Sequence, residues 1–322
     1  QTNFTQSKFA SLSFVKYSIV KPTAEYNTIK HVVDSETTLI SNFTLSNCRF
    51  SDDSGFIDTA WPYIVILGSE FKANVYLDSS LGKLGGIRLP ATVKMNPLES
   101  LIPELSLLAN YTFQIIVANN SFENEDISAN FYLNFEEFAT NGSLVLLQNN
   151  TFKNISAPIT PNIQYLLRFE QVSDVQIKNN TFNRFKGAFY TILLGNTRQK
   201  KSFIASNNQV ANFRSSGFFS SAYTFIYSAT FSNNLFADLD LTLHLIFTDR
   251  VSIFGNFTIL ENMFQNITLN PSDLVSSIIE IDISQVTSNG SYLAPGKLTG
   301  YVWVSYNNFT DLSISKDHSY LA

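Results

Sequence analysis

Apolar residues occupy every second position in many short segments of this chain. Examples are the pairs Leu144 and Leu146, Val175 and Ile177, Phe203 and Ala205, and Val302 and Val304. A period of two is typical of β-strands, whereas a helix would repeat its apolar residues every three or four positions. The pattern therefore predicts a succession of short strands.

A recurring phrase follows these strands, in which an asparagine pair is followed two positions later by an apolar anchor. The anchors are Phe122, Phe152, Phe182, Val210, Phe236, Phe264 and Phe309. Successive anchors lie 26–30 residues apart, except for a final interval of 45 residues. A period of this length is typical of solenoids, and the leucine pattern of leucine-rich repeats is absent.

The rest of each period contains a further β-rich run. These runs are Tyr165–Phe169, Tyr190–Leu194 and Tyr223–Tyr227. Three strands per period predict an all-β chain that folds as a right-handed parallel β-helix, a solenoid with three strands per coil. We expect residues 1–40 to form an N-terminal coil or cap and residues 41–322 to form the β-helix. Glycine and proline residues interrupt the period at 79–108 and 284–300, which predicts insertions there.

Polar residues also recur at fixed positions within the repeat. The asparagine two positions before each anchor is expected to point inward and to form a hydrogen-bonded ladder, because adjacent strands lie about 4.8 Å apart. The ladder residues are Asn120, Asn150, Asn180, Asn208, Asn234, Asn262 and Asn307. A second polar column lies two positions after the anchor, where asparagine and aspartate favour a turn with unusual backbone angles. Its members are Asp52, Asn124, Asn154, Asn212, Asp238, Asn266 and Asp311.

The Asn-Asn-x-Phe phrase, repeated over residues 40–315, resembles the short repeats of the pectin-lyase-like parallel β-helix superfamily. The resemblance implies a β-helical fold, and enzymes on this fold split polysaccharides. It implies little about function, because the same fold carries many activities. The polygalacturonase-like pattern of Asn-Thr-Asp, Asp-Asp, Gly-His-Gly and Arg-Ile-Lys is absent from this chain.

N-glycosylation sequons are abundant, since 12 of the 33 asparagines start an Asn-X-Ser/Thr motif. Chance placement would give about six or seven. The twelve are Asn3, Asn42, Asn110, Asn119, Asn141, Asn149, Asn154, Asn179, Asn256, Asn266, Asn289 and Asn308. Charged residues make up only 15% of the chain, and N-linked glycans would supply the missing polar surface. We therefore expect an extracellular or cell-surface glycoprotein.

Composition also limits the partners. The net charge of −5 argues against nucleic acid. No apolar run is long enough for a membrane span. The single cysteine excludes an internal disulfide and a cysteine-ligated metal. We predict no metal ion and no cofactor.

Catalytic carboxylates are hard to find in the repeat. The best enzymatic combination is Asp238 and Asp240 with Asp249 and Arg250, because all four fall within one coil. His244 lies in an alternating run and is interpreted as a packed or half-exposed strand residue. We therefore predict no catalytic residue and expect that the chain is not an enzyme.

Positive charge is concentrated in three neighbouring coils. It is carried by Lys178, Arg184, Lys186, Arg198, Lys200, Lys201 and Arg214. Lys186 and Arg214 both lie four residues after their anchors and are expected to stack. Lys186, Lys200, Lys201 and Arg214 are the candidate residues for binding an acidic glycan, although a charged strip is also typical of a solvated surface.

Three functions are consistent with these features. The first is a structural protein of a cell-surface coat or extracellular fibre that assembles end to end, because no amphipathic helix follows the last phrase to cap the strand edges. The alternative is a polysaccharide-binding or adhesion module. The second alternative is a polysaccharide lyase or hydrolase.

Overall fold

The computed structural model of the chain is built from parallel β-sheets stacked as a β-helix. It describes residues 2–5, 8–9, 42–47, 49–51, 56–58, 63–68, 70–72, 86–90, 114–123, 131–136, 144–157, 164–169, 172–187, 189–195, 197–214, 216–222, 224–270, 277–283, 287–288, 291–292 and 300–314. In this part of the chain three parallel sheets run side by side. Each coil between residues 42 and 281 contributes a strand to every sheet, whereas the described parts of the first and last coils contribute to the first and second sheets only. The predicted all-β parallel β-helix with three strands per coil is therefore confirmed.

The first sheet contains the strands that precede the asparagine phrase. Its main path is β1 (Thr2–Thr5), β3 (Asn42–Ser46), β6 (Tyr63–Leu67), β9 (Gln114–Ala118), β12 (Leu144–Gln148), β15 (Asp174–Lys178), β18 (Thr197–Ser206), β21 (Thr224–Ser232), β25 (Phe257–Leu260) and β30 (Val302–Ser305), and β24 (Ser252–Ile253) also pairs with β21.

The second sheet contains the strands that follow the phrase. They are β2 (Lys8–Phe9), β4 (Arg49–Ser51), β7 (Glu70–Lys72), β10 (Ser121–Glu123), β13 (Thr151–Ser156), β16 (Thr181–Lys186), β19 (Gln209–Arg214), β22 (Leu235–Leu241), β26 (Met263–Leu269) and β31 (Asn308–Ile314).

The third sheet closes each coil. It is formed by β5 (Phe56–Asp58), β8 (Gly86–Pro90), β11 (Phe131–Glu136), β14 (Gln164–Phe169), β17 (Phe189–Leu194), β20 (Gly217–Ala222), β23 (Ile246–Asp249) and β27 (Ile279–Ile281). The predicted runs at 165–169 and 190–194 lie in this sheet. The prediction for Tyr223–Tyr227 was wrong, because the third strand of that coil is β20 and β21 already belongs to the next coil. Because of Gly217, Ser220 and Ser221, β20 is less apolar than the run that follows it, so the sequence does not display β20 as the third strand of the coil.

The inward face of β12 does not carry the pair Leu144 and Leu146, whose alternation the sequence displays. Val145 and Leu147 are fully buried, whereas Leu144 and Leu146 are only half-buried. Leu147 pairs in register with Ile177 of β15, whose side chain points into the core. Alternation alone does not distinguish the two faces of β12, because its first four residues are all apolar. Which face points inward follows from the register of the strand relative to the asparagine phrase.

The ladder asparagines join consecutive coils through their buried side chains. Asn150 Nδ2 donates to Asn180 Oδ1 at 3.0 Å, and the same oxygen accepts the Asn150 backbone N–H at 2.9 Å. Equivalent bonds run from Asn120 to Asn307. Each amide also donates to a backbone carbonyl of the preceding coil, as Asn180 does to Leu147 O at 3.0 Å. The bend between the first and second sheets therefore has its buried polar groups satisfied.

The anchors form a stacked aromatic column beside the ladder. Ring centroids lie 4.7 Å apart for Phe122 and Phe152, and 4.6 Å apart for Phe264 and Phe309. Val210 interrupts the column, and Phe218 of the third sheet takes the place of the missing ring. Phe218 makes edge contacts with Phe182 at 5.7 Å and Phe236 at 5.3 Å. The interruption is therefore filled from a different sheet, and the core stays closely packed.

Left-handed backbone angles occur at the residue directly before each ladder asparagine and along the second polar column, as asparagine and aspartate tolerate. The residue before the ladder has a φ of 57° at Asn119 and 56° at Asn179. The second column has positive φ at Asn154, Arg184, Asn212, Asp238, Asn266 and Asp311. Asp52 and Asn124 lie outside the described residues.

The predicted cap and insertions are only partly described. In the segment 1–40, β1 and β2 already pair with β3 and β4, and the remaining residues lie outside the described part. Within 79–108, β8 is a regular member of the third sheet. Within 284–300, β28 (Thr287–Ser288) and β29 (Ser291–Tyr292) form an antiparallel pair apart from the coil. A search of the described residues finds no helix of the length and apolarity that a membrane crossing would need.

Candidate functional site

Three of the sequons occupy one edge of the β-helix. Asn119, Asn149 and Asn179 are exposed and lie in the bend between the first and second sheets, directly before the ladder. Their coils are consecutive, and Asn149 Nδ2 donates to Asn119 Oδ1 at 3.2 Å. The left-handed backbone turns these side chains away from the core while the next asparagine points inward. This sequon row is therefore accessible for modification along its length.

The other sequons are distributed over the remaining surface. Asn256, Asn266 and Asn308 are exposed, and Asn154 is half-buried. Asn3 and Asn42 lie in the strands β1 and β3, of which the backbone is described. Asn110, Asn141 and Asn289 lie outside the described residues.

A polar groove of about 640 Å³ runs along the second sheet where its strands pass the left-handed column. Its floor includes Phe185, Phe213 and Leu239, which are buried core residues. Its rim carries the side chains two and four positions after each anchor, drawn from neighbouring coils. Sequons Asn154 and Asn266 lie at its two ends. The groove is thus a product of the coil stacking and not of any one segment.

Charge in the groove is divided between its two halves. Arg184, Lys186 and Arg214 form the basic half, and Asp238 and Asp240 form the acidic half. Lys186 and Arg214 are register partners, so they stack as the sequence predicted. None of the three cations forms an ion pair with a described residue. Asp238 Oδ1 accepts from Asn266 Nδ2 at 2.7 Å, and Asp240 accepts from Asn270.

The structure separates the remaining predicted site residues. Lys200 and Lys201 belong to β18 of the first sheet, and their side chains lie outside the described residues. Asp249 and Arg250 end β23 of the third sheet and contact each other at 3.3 Å. The acidic pair Asp238 and Asp240 lies on the second sheet instead. The four residues combined from the sequence are therefore divided between two sheets.

A polar cluster around His244 was not predicted from the sequence as a group. His244 Nδ1 lies 2.8 Å from Ser277 Oγ and 3.2 Å from Glu280 Oε2, while the ring stacks on Phe247 at 4.6 Å. Burial lowers the pKa of His244, and the Glu280 carboxylate partly opposes that effect. Because the serine and the carboxylate contact the same nitrogen, they cannot act on opposite sides of the ring as a proton relay requires. The repeat does not predict this cluster, because Ser277 follows His244 by 33 residues and the repeat spacing is 26–30 residues.

The last described coil differs from all the others in its exposure. Val302, Val304, Phe309 and Leu312 occupy inward positions of the repeat, yet their exposed fractions are 37–47%. Their counterparts in the preceding coil, including Phe257, Ile259 and Phe264, are fully buried. The core therefore continues to an apolar end face formed by β30 and β31.

Comparisons of the chain with protein-family models, with curated proteins and with solved structures find no match in any of the three. Among the described residues, no group of three or more histidine, cysteine, aspartate or glutamate side chains could hold a metal ion. Function is therefore inferred from the residues of this chain and their geometry.

Proposed function

We propose that the protein is an extracellular, N-glycosylated structural protein whose β-helices assemble end to end in a cell-surface coat or fibre. The apolar end face carries this proposal. Exposed inward-facing side chains on a soluble protein mark a contact surface, because leaving such area in water costs about 25 cal/mol per Å².

The occupant of the end face is a second copy of the chain. In a parallel sheet the two edges are complementary, so a strand such as β1 can pair with β30 in the same orientation as any neighbour within the coil stack. β2 occupies the same position in the second sheet, where Phe9, Phe50, Phe71 and the anchor Phe122 are successive register partners. A head-to-tail contact would continue the sheets of one copy into those of the next. Such a contact is heterologous and produces a filament unless it closes into a ring.

The asparagine ladder also supports the addition of a second copy beyond β30. Asn307 Oδ1 accepts from Asn262, and Asn307 Nδ2 donates to Ile259 O at 2.8 Å. In every earlier ladder position from Asn120 to Asn262, the backbone N–H donates to the amide oxygen of the next coil. The Asn307 N–H is thus positioned to donate to an amide oxygen of a second copy.

Electron microscopy and light scattering of the secreted chain test this assembly. We expect filaments from the native sequence and monomers from Leu312→Asp, because a carboxylate at an apolar contact is costly to desolvate. Ser313→Asp is the matched control, since Ser313 is an exposed neighbour on the same strand, contacts Thr268 on the outer surface and belongs to no sequon. A stable monomer of the native chain would refute end-to-end assembly, as would a longer natural chain whose further coils cover the end face.

Relationship to the pectin-lyase-like superfamily is part of the proposal. The support is the combination of three parallel sheets, an inward asparagine ladder and an adjacent aromatic column. Extracellular location and self-association are supported by the exposed sequon row and the apolar end face.

Binding of an acidic polysaccharide is the second candidate function, and it is favoured by the cations of the groove, which form no ion pair with a described residue. Arg184, Lys186 and Arg214 present three positive charges beside an open channel, as carboxylated or sulfated sugars require. Replacing Lys186 and Arg214 by alanine should abolish retention on immobilised polygalacturonate at low salt. Lys178→Ala and Lys153→Ala together remove the same charge elsewhere and should leave retention unchanged. Equal losses in both double variants would show a non-specific charge effect and contradict the groove as the site.

A further inference from the structure

Three residues with exposed aromatic side chains lie on the coils that flank one sequon of the first sheet. Tyr227, Tyr301 and Trp303 have exposed fractions of 53%, 49% and 51%. The outer positions of neighbouring strands are otherwise mainly serine, threonine and other polar residues. A cluster of exposed aromatic rings in a polar sheet surface marks a site where something packs.

Asn256 lies at the centre of this cluster. Phe257 pairs in register with Val302, and Thr258 pairs with Trp303, so the sequon Asn256-Phe257-Thr258 lies directly beside the segment from Tyr301 to Trp303. Phe257 is fully buried, and Asn256 is exposed, because the two residues alternate along the strand direction. The Phe257 N–H donates to Tyr301 O at 2.9 Å, which fixes the two segments against each other.

Close backbone packing holds the backbone of Tyr227 near the sequon. A Cβ atom on Gly255 would collide with the carbonyl oxygen of Tyr227, and one on Gly300 would collide with that of Gly255. Glycine is therefore required at both positions for the coils to approach. Tyr227, Asn256 and Tyr301 consequently belong to three consecutive coils, separated by about 4.8 Å per coil.

We propose that an N-linked glycan on Asn256 packs its first sugar against Tyr301 and Trp303, so that these rings form an intramolecular saccharide-binding platform. The inference rests on the proposed glycoprotein function and deepens it at one site. A pyranose has a face of C–H groups that packs on an aromatic ring while its hydroxyl groups remain in water. The sugar linked to Asn256 Nδ2 begins on the outer surface and needs to cross only one strand spacing to cover the neighbouring coil.

The geometry of the rings suits one attached sugar better than a flat polysaccharide chain. The Tyr301 and Trp303 ring centroids lie 5.9 Å apart with planes inclined by 60°. Rings inclined in this way form a corner and not a continuous plane. Trp303 Nε1 donates to Ser305 Oγ at 2.6 Å, which holds the indole in place before any sugar arrives. A preformed corner lowers the entropic cost of ordering the first sugar.

Fluorescence of Trp303 in the secreted full chain tests the inference. The chain has two tryptophans, so a Trp61→Phe background isolates Trp303. Acrylamide quenching should be at least about twofold weaker with a glycan on Asn256 than in Asn256→Gln, because the sugar covers the indole. Trimming every glycan to its first sugar should keep this protection, and complete removal by an amidase should abolish it.

Thr181→Ala is the matched control, because it removes the sequon at Asn179 and leaves the platform unchanged. Its quenching should equal that of the parent. An occupied Asn256 with unchanged quenching would overturn the platform, and so would an empty Asn256 in a chain whose other sequons carry glycans. A chain with every sequon empty would overturn the glycoprotein proposal itself, and glycopeptide mass spectrometry distinguishes that result from the other two.

Discussion

Replacing Asn180 by alanine is the most direct test of the asparagine ladder. The side chain accepts the Asn150 N–H at 2.9 Å and donates to Asn208 Oδ1 at 3.1 Å and to Leu147 O at 3.0 Å. Asn150 and Asn180 are both 1% exposed, so water cannot replace these bonds without opening the bend. Alanine at position 180 leaves the sequon Asn179-X-Thr181 intact, so glycosylation at Asn179 is not a confounding change.

The magnitude follows from the groups left without partners. The orphaned Asn150 N–H costs about 2 kcal/mol, and the three lost side-chain bonds, two donated by Asn180 Nδ2 and one donated by Asn150 Nδ2 to Asn180 Oδ1, cost about 0.5 kcal/mol each. We therefore expect unfolding in urea to require about 3–4 kcal/mol less free energy than in the parent, with coupling along the ladder setting the spread.

The matched control lies on the neighbouring second-sheet strand. Asn183→Ala removes one exposed bond, in which Asn183 Oδ1 accepts from Asn212 Nδ2 at 2.9 Å. Its cost should stay below about 0.5 kcal/mol, as is usual for surface substitutions. Equal costs for the Asn180 and Asn183 variants would refute the argument that buried amide pairing stabilises the bend.

Three further predictions concern modification, pH and activity. Glycopeptide mass spectrometry of the secreted protein should find sugars in the sequon row formed by Asn119, Asn149 and Asn179, and three bare asparagines would remove the main support for an extracellular location. Burial lowers the pKa of His244, so the unfolded chain binds the extra proton first and stability should fall as pH drops from about 6.5 towards the folded-state pKa. His244→Asn should flatten that part of the stability profile, and an unchanged profile would contradict the assignment. Partial burial raises the pKa of the half-buried Asp174 carboxyl. Since this shift acts on stability in the opposite direction, the parent and the variant are compared at each pH. Finally, we expect no depolymerisation of pectin or alginate, and a robust activity abolished by Asp238→Asn or Asp249→Asn would show that the protein is an enzyme.

The groove shows which parts of a site a repeat can reveal. Lys186 and Arg214 were expected to stack because both lie four positions after an anchor, and they are register partners in the structure. Arg184 was seen only as one charge among seven, although its left-handed backbone places it in the same groove. Lys200 and Lys201 were grouped with these cations by nearness in sequence, but β18 belongs to another sheet. Nearness along the chain does not predict which side chains lie together, because the strands of one coil belong to three different sheets.

In the core, too, the repeat predicts some contacts and not others. The anchors from Phe122 to Phe182 stack as their spacing suggested, with nearly parallel rings. Nothing in the spacing indicated that Phe218, from the third sheet, would fill the gap beside Val210. Bends of variable length separate the second and third sheets, so the repeat fixes no register between them.

The sequence by itself determined how residues are arranged along the axis of the β-helix. A 26–30-residue period with Asn180 and its counterparts at one position sets the coil, the bend and the neighbours along the axis, because each residue meets its equivalent one strand spacing away. Tertiary structure decided what meets across the coil: the inward face of β12, the His244 cluster and the aromatic corner around Asn256. These contacts join residues from different sheets or from coils of unequal length. Their geometry depends on side-chain volume and loop length, which have no period for the sequence to display.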